Sequence, residues 1–362
     1  MSPSPMCATP SRRSGPADSD TPPWRGTSGT AAARGWTRQN YRTSDEGNAY
    51  RTGDGMMMDQ RMGPRPYARR LAIERGRLIE YHRPVSPKMT ALKIRVIRPI
   101  LAFGLRALGL YRHGYREYHN IRVRRNTLAI RRLPGAFEGY TLLQMSDLHI
   151  DLDATLVDSV AAAIAGLQYD VCVITGDFRN STIGAWDEVV PPMRRLVEQI
   201  RAPVYAVLGN HDFADMVPPL EAAGLRFLVN ESAALERQGT EIHLVGIDDP
   251  NIYATHDLDH ALRTVPPGAI KILLSHSPVI YREAAARGFE AILAGHTHGG
   301  QVCLPWGGIL VRNDRSPRRF LRGAWRHGDL LGYTSTGTGS CGIPIRFNCP
   351  PEVTLHTLRR AP

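Results

Sequence analysis

Polar residues with metal-binding chemistry follow short apolar runs in the middle of the chain. Asp147 and His149 are separated by one residue, so in an extended backbone both side chains point to the same side and can hold one cation together. After the next apolar run comes Gly176-Asp177, where glycine permits a tight turn and the carboxylate offers two oxygens that can bridge two cations. Each pair alone is a weak signal, because such pairs also occur in ordinary turns.

A third cluster, Asn210-His211-Asp212, follows Gly209 at the end of another apolar run. The amide oxygen of Asn210 is a neutral, hard ligand that suits a divalent ion. The neighbouring His211 can reach towards a substrate instead of a metal, and Asp212 is predicted to orient the His211 ring.

Two histidine clusters complete the set. His276 follows an apolar run, and His296 and His298 stand two residues apart in a glycine-flanked stretch that follows the next run. Apolar runs that end in polar clusters can bring those clusters to one edge of a sheet, where ligand sites of α/β folds lie. Together the five clusters supply two carboxylates, one amide and four imidazoles as ligands, a mixture that favours transition-metal dications.

The apolar runs themselves read as buried strands separated by helices, which predicts an α/β fold. The predicted strands are Tyr140–Met145, Val171–Thr175, Val204–Leu208, Ile242–Ile247, Ile270–Leu274, Ala291–Ala294, Gly332–Ser335 and Val353–Leu358. The predicted helices include Ala154–Gly166 and Glu188–Ile200.

At these positions the chain resembles the calcineurin-like metallophosphoesterase superfamily, whose motifs are DxH, GDxxD/N, GNHD/E, a lone His and GHxH in that order. The resemblance covers about residues 120–358 and implies a four-layer α/β/β/α sandwich of two mixed sheets. It implies a first metal site formed by Asp147, His149, Asp177 and His298. It implies a second metal site formed by the bridging Asp177 with Asn210, His276 and His296.

The resemblance also implies a reaction. Two divalent ions such as Mn, Fe or Zn would lie about 3.5–4 Å apart, and a hydroxide between them would attack phosphorus in line with the leaving oxygen. His211 would be the catalytic histidine, kept protonated with the help of Asp212, and would donate a proton to the leaving group. Asn180 stands where many relatives have Asp, so the resemblance assigns it no role.

Charge and composition divide the chain. It has 362 residues and a net charge of +11, and residues 61–132 alone carry 19 Lys or Arg against 3 Glu, or +16. Residues 1–88 are rich in Ser, Gly, Pro and Arg, which predicts a disordered segment that need not belong to the mature protein, since Met89 could be the start. Residues 89–119 read as a basic amphipathic helix suited to a membrane interface, or as a helix packed on the domain with a charged outer face. Residues 120–362 form the predicted catalytic domain.

The expected substrate is a phosphodiester or pyrophosphate in a phosphorylated small molecule, a nucleotide sugar or a lipid. The form of the GHxH motif and the C-terminal tail resemble a bacterial membrane-associated branch that includes enzymes similar to UDP-2,3-diacylglucosamine pyrophosphatases. A phosphomonoesterase or protein phosphatase and a non-catalytic membrane-surface adaptor are the alternatives. The basic segment could contact an anionic membrane, whereas nucleic acid is disfavoured because no known reading motif is present.

The remaining signals concern location and a second basic loop. Five cysteines without a CxxC pair disfavour a disulfide framework. With no signal peptide visible, the sequence predicts a cytoplasmic protein, peripheral on the inner face of the cell membrane if residues 89–119 bind lipid. The arginines of residues 315–322 either hold a second phosphate or form a solvated loop.

Overall fold

Two six-stranded sheets form the centre of the protein. The computed structural model describes residues 57–76, 98–306, 308–309 and 313–361. In spatial order, the first sheet contains β1 (Arg122–Ile130), β12 (Glu352–Arg360), β2 (Thr141–Met145), β3 (Val171–Ile174), β4 (Val204–Ala206) and β5 (Leu225–Phe227). The second contains β10 (Gly323–His327), β11 (Leu330–Thr334), β9 (Ala291–Ala294), β8 (Lys271–Leu274), β7 (Thr240–Gly246) and β6 (Glu231–Arg237). Both sheets are mixed, because each combines parallel neighbours with antiparallel pairs such as β12–β2 and β6–β7.

Helices cover both sheets, and four of the described helices come before β1 in the chain. The α-helices are α1 (Met58–Met62), α2 (Pro64–Gly76), α3 (Arg98–Ala107), α4 (Leu110–His119), α5 (Leu156–Ile164), α6 (Val190–Val197), α7 (Val217–Glu221), α8 (Leu258–Ala261) and α9 (Tyr281–Ala286). Short 3-10 turns span Gly135–Phe137, Asp187–Val189, Ala214–Met216, Pro278–Ile280, His298–Gly300 and Arg318–Phe320. No helix within these described ranges is both long and apolar enough to cross a membrane.

Alternation along the strands builds three apolar layers. On β2, Leu142 points between the two sheets and packs in one cluster with Leu244 and Leu274 of the second sheet. Its neighbour Leu143 points outwards into a different cluster, shared with α5 and α6. The outer face of the second sheet packs against α8 and α9 through residues such as Leu273. The predicted four-layer α/β/β/α sandwich is therefore confirmed, and strands buried on both faces explain the continuous apolar runs in the sequence.

Sequence periodicity located the buried strands and missed the polar or very short ones. All eight predicted strands correspond to observed strands, with ends that differ by a few residues. The strand β1 was missed because most of its first residues are arginines or other exposed side chains at the sheet edge, and β5 is only three residues long. Residues Glu188–Ile200 begin as a 3-10 turn before α6, since Pro191 and Pro192 shape the start of that helix.

Residues 57–76 correct the prediction of a disordered segment over 1–88. Met58 and Met62 of α1 are buried in the same cluster as the outer face of the first sheet. Arg61 donates to Glu231 at 3.0 Å, to Glu221 at 3.1 Å and to the carbonyl oxygen of Phe227 at 2.8 Å. Composition misled the prediction because two methionines and a few paired arginines hold this segment, rather than an aliphatic stripe. Residues 1–56 and 77–97 lie outside the described residues, and so does the part of the disorder prediction that covers residues 1–56 and 77–88.

The predicted amphipathic helix is broken into two. The chain turns at Gly109, whose φ of 70° lies in the left-handed region, and this turn separates α3 from α4. No residue of α3 is buried, whereas Tyr118 of α4 is fully buried in the core. The hairpin is therefore attached to the domain through α4, and residues 89–97 of the predicted segment lie outside the described part of the chain.

Candidate metal centre

The five polar clusters lie at the carboxyl ends of five strands. Asp147, Asp177 and Asn210 follow β2, β3 and β4 of the first sheet, while His276 and His296 follow β8 and β9 of the second. The loops interlock through backbone hydrogen bonds, in which the N–H of Asp147 donates to the Gly176 carbonyl at 2.9 Å. The metal-binding candidates of both sheets are thereby brought to one edge of the sandwich.

The first group of donor atoms consists of Asp147, His149, Asp177 and His298, all buried and within 4.8 Å of one another. His149 Nε2 and His298 Nε2 lie 3.2 Å apart. His298 Nε2 is 3.4 Å from Asp147 Oδ1, and His149 Nε2 is 3.7 Å from Asp177 Oδ2. These are the four residues that the resemblance assigned to the first metal.

The second group consists of Asp177, His276 and His296, again within 4.8 Å of one another. His276 Nε2 lies 3.4 Å from Asp177 Oδ2 and 3.2 Å from His296 Nδ1. The side-chain oxygen of Asn210 lies 3.0 Å from His276 Nε2 and so joins the group. Asp177 is a member of both groups, and the structure brings all seven proposed ligands together.

Backbone strain is concentrated at these ligands. Five of them have positive φ, between 42° and 69°, a region that residues other than glycine seldom adopt: Asp147, His149, Asp177, His296 and His298. Such strain persists only where the surrounding structure fixes it, and it clusters at functional sites.

Buried partners orient two of the rings. His149 Nδ1 donates to the carbonyl oxygen of Arg179 at 2.6 Å, and His276 Nδ1 donates to the carbonyl oxygen of Thr175 at 2.8 Å. A ring that donates from Nδ1 presents the Nε2 lone pair to the centre, which is the arrangement usual for histidine ligands of metals. Asp147 is held in place by Ser146, whose hydroxyl donates to its carboxylate at 2.6 Å.

His211 lies at the rim of the centre. Its Nδ1 donates to the carbonyl oxygen of Asn180 at 2.7 Å, and its Nε2 lies 3.9 Å from Asp177 Oδ2. The Asn180 side chain accepts the N–H of Gly342 at 2.7 Å, which ties His211 to the C-terminal loop. Asn180, to which the resemblance gave no role, therefore positions His211 through its backbone.

Asp212 does not orient His211, contrary to the sequence-based expectation. Its buried carboxylate accepts backbone N–H groups at 2.8 Å from Asp177, Phe178 and Gly209. Adjacent residues in this tight loop point in different directions, so Asp212 faces the backbone of the β3 loop while His211 faces the rim. Asp212 is a structural organiser of the ligand loops.

Burial and charge shift the titration of the central groups. Burial raises the pKa of Asp147. Burial acts in the same direction on Asp177, but the neighbouring His276 and His211 rings outweigh it and hold the pKa of Asp177 well below its usual range. Burial lowers the pKa of His149 to about 3, so this ring is neutral and can bind a cation. Burial lowers the pKa of His211, yet the Asp177 carboxylate and the adjacent Cys341 raise it overall to about 10.

The donor atoms suit divalent transition-metal cations. Two imidazole nitrogens that bind one cation at about 2.0–2.1 Å are separated by roughly 2.9–3.4 Å. The nitrogen pairs His149–His298 and His276–His296 are each 3.2 Å apart, within that range. Imidazole, carboxylate and amide donors together favour Mn, Fe or Zn over Ca or Mg.

Sequence reasoning missed two residues beside His296. The ring nitrogen Nε2 of His296 lies 2.8 Å from the Asn251 side-chain amide and 3.3 Å from the carbonyl oxygen of Asn313. Neither asparagine belongs to a motif, so only their positions in space reveal the contact. Arg318 and Arg319 of the second basic loop are exposed, as both the phosphate-contact and the solvated-loop predictions require.

Comparison with known proteins finds one matching family and several similar proteins. The calcineurin-like phosphoesterase family matches residues 140–300. The uncharacterized metallophosphoesterase YkuE of Bacillus subtilis (strain 168) is 29% identical over 262 residues, or 68% of this chain and 90% of that protein. Phosphodiesterase YaeI of Escherichia coli (strain K12) is 26% identical over 239 residues, or 60% of this chain and 82% of that protein. A solved archaeal phosphodiesterase is 12% identical, with a TM-score of 0.31, over 54% of this chain and 84% of that one.

The fold, the clustered ligands and the family match together define a metal-dependent hydrolase of phosphoric esters. Residues 140–300 match the calcineurin-like phosphoesterase family, and divalent metal ions are the cofactors of that family.

Proposed function

We propose that this protein hydrolyses a phosphodiester or pyrophosphate bond with two divalent cations that share Asp177. The observation that carries the proposal is the membership of Asp177 in both groups of donor atoms. A single carboxylate between two donor sets can place two cations side by side, as two-metal hydrolases require. The substrate class we infer is a phosphorylated small molecule, a nucleotide sugar or a lipid-linked phosphate.

When bound, two such cations would activate a water molecule at neutral pH and neutralise the phosphate oxygens. The two groups of donor residues in this chain would hold these cations. Asp147 and Asp177 contribute two negative charges against the four positive charges of two dications, so the loaded centre attracts an anionic substrate.

His211 is the proposed proton donor. Its Nδ1 hydrogen bond to Asn180 turns Nε2 towards the side of the centre where Asp177 lies. From this position Nε2 can donate to the leaving oxygen of a substrate, or stabilise its developing charge. The ring belongs to neither group of ligands, so its removal should affect turnover and not metal content.

Metal analysis of three variants tests the shared carboxylate. Asp177→Ala should remove both cations, because it belongs to both groups, whereas His298→Ala and His296→Ala should each weaken one site only. Equal metal content in all three variants and the parent protein would overturn the two-cation proposal.

Substrate assays of the metal-loaded protein test the reaction. We expect hydrolysis of bis-p-nitrophenyl phosphate to exceed that of p-nitrophenyl phosphate, and UDP-sugar lipids to be cleaved at the pyrophosphate. Preference for the monoester would instead indicate a phosphomonoesterase, and a metal-loaded protein inert towards every ester would indicate an adaptor. His211→Gln should lower turnover by 10²–10⁴-fold, the usual contribution of general acid catalysis. His327→Gln, on β10 and outside both ligand groups, is the control.

A further inference from the structure

The helix α3 exposes three of its large apolar side chains, Ile100, Leu101 and Phe103. Ile100 is 64% exposed and Phe103 is 73% exposed, and Leu108 just beyond the helix is also 73% exposed. A surface helix of a globular protein normally turns its apolar stripe inwards. The half-buried positions of α3 are Arg98, Ala102, Gly104 and Leu105, so Ile100, Leu101 and Phe103 face away from the protein. A cluster of large exposed apolar residues marks a binding surface.

The neighbouring helix α4 fixes this surface to the domain. Tyr118 is fully buried, and Gly114 packs so closely on Phe347 that a Cβ at this glycine would lie 2.8 Å from the Phe347 ring. The exposed apolar residues therefore lie on a helix hairpin whose second helix is anchored in the core.

Basic residues surround the apolar surface. Residues 98–125 contain 7 Arg and 1 Glu, which sums to +6. Arg106, Arg112 and Arg116 are exposed on the two helices. A helix that combines an exposed apolar face with arginine flanks matches an anionic lipid surface, which offers an apolar layer beneath a layer of negative charge.

The same hairpin lies beside the rim of the metal centre. Arg98, at the start of α3, lies against Gly342: a Cβ added at Gly342 would be 3.2 Å from Arg98 Nε. Gly342 donates to Asn180, and the carbonyl of Asn180 accepts from His211. One short chain of contacts thus joins the apolar helix to the candidate proton donor.

We propose that α3 lies in the interface of an anionic membrane and that the substrate is a lipid-linked phosphate ester taken from that interface past Arg98. The substrate part of this inference rests on the proposed hydrolase function, whereas the membrane contact does not. Ile100 and Phe103 enter the boundary between headgroups and acyl chains, and the arginines contact the headgroups. The guanidinium of Arg98 is placed to contact an anionic group of a lipid entering the rim.

Vesicle flotation of the full chain tests the surface. The protein should float with vesicles of phosphatidylglycerol and phosphatidylcholine, less with phosphatidylcholine alone, and less as salt increases. The double variant Ile100→Ser/Phe103→Ser should lose at least about tenfold in partitioning, since two apolar anchors are removed. Val123→Ser, an exposed apolar residue on β1 outside the hairpin, is the matched control and should float like the parent. Equal flotation of the double variant and the parent would overturn the membrane contact.

The other possible occupants give different results. Should the double variant convert a dimer into a monomer without changing flotation, the surface binds a second copy of the chain and the inference is wrong. DNA retention that depends on Ile100 and Phe103, without vesicle binding, would also overturn it.

A ratio of rates separates this inference from the proposed hydrolase function. Hydrolysis of a lipid-linked phosphate in vesicles, relative to hydrolysis of bis-p-nitrophenyl phosphate in solution, should fall at least about tenfold in the double variant. Arg98→Gln should raise the KM for the vesicle substrate more than it lowers kcat. Hydrolysis of the soluble diester without vesicle binding would leave the hydrolase proposal standing and defeat this one. Vesicle binding with no hydrolysis of any ester would defeat the hydrolase proposal and the lipid-substrate part of this inference, and would leave the membrane contact standing.

Discussion

The carboxylate of Asp212 accepts the backbone N–H of Asp177 at 2.8 Å. Asp212 therefore fixes the backbone of Asp177, the residue that belongs to both groups of donor atoms. The same carboxylate accepts the N–H of Gly209 at 2.8 Å, which links the loops after β3 and β4. Asp212 therefore controls the distance between Asp177 and Asn210, although it points away from the metal centre.

Replacing this carboxylate should loosen the centre. Asp212→Asn keeps the size of the side chain but replaces one acceptor oxygen with an NH₂ group that faces a backbone N–H. An unsatisfied buried group costs about 1–3 kcal/mol, so we expect a comparable loss in the free energy of unfolding and weaker metal binding. Urea denaturation and metal titration measure the two effects. Asp158→Asn, at an exposed ion pair with Arg195, serves as control; if both variants behave alike, Asp212 has no organising role.

Arg70 of α2 connects the N-terminal helices to the same loop. Its side chain is fully buried, donates to Glu74 at 2.7 Å, and also contacts Asp248 and the carbonyl oxygen of Asp212. Arg70→Met should destabilise the protein by about 3–5 kcal/mol, because it leaves buried carboxylates without their counter-charge.

Arg65→Met, on the exposed side of α2, is the matched control for this prediction, with denaturant unfolding as the measurement. A chain that starts at Met89 lacks α1 and α2 altogether and should be destabilised at least as much as Arg70→Met. A chain starting at Met89 with the stability of the full protein would show that these helices do not support the domain.

Close approach at Gly295 is required for the centre to form. A Cβ at this position would lie 1.8 Å from Ser146 Oγ and 2.5 Å from Asp147 Oδ2. Gly295→Ala must therefore displace Asp147, and we expect loss of metal and of hydrolysis together. Gly166→Ala, at a site with nothing within 4 Å of the added Cβ, should retain both. Full activity of Gly295→Ala would show that the loop accommodates the methyl group without moving the ligand.

Metal removal should lower the stability of the folded protein. Binding to the native state alone stabilises a protein by about 2.7 kcal/mol when the free ligand is at 100 times its Kd. For a domain of this size that corresponds to a rise in Tm of roughly 5–10 °C. Treatment with EDTA should reverse the rise, and added Mn²⁺ or Zn²⁺ should restore it. In Asp177→Ala the melting temperature should not respond to either treatment, and a response equal to that of the parent would contradict the shared role of this carboxylate.

Local sequence was sufficient for the strands buried on both faces and for the candidate ligands. An apolar run that ends in a polar cluster indicates a strand buried on both faces. The side chains that follow such a strand lie at the carboxyl edge of the sheet. This pattern holds for Asp147, Asp177, Asn210, His276 and His296, each of which follows a strand of the structure.

Contacts between distant segments were decided only by the tertiary structure. The direction of the Asp212 carboxylate depends on backbone N–H groups some 35 residues away, and no spacing in the sequence encodes it. Burial of Arg70 depends on Asp248, 178 residues further along, so composition alone made its segment look disordered. The outward face of α3 is likewise visible only once α4 is anchored, because a helical period shows that a helix has two faces and not which of them meets the protein.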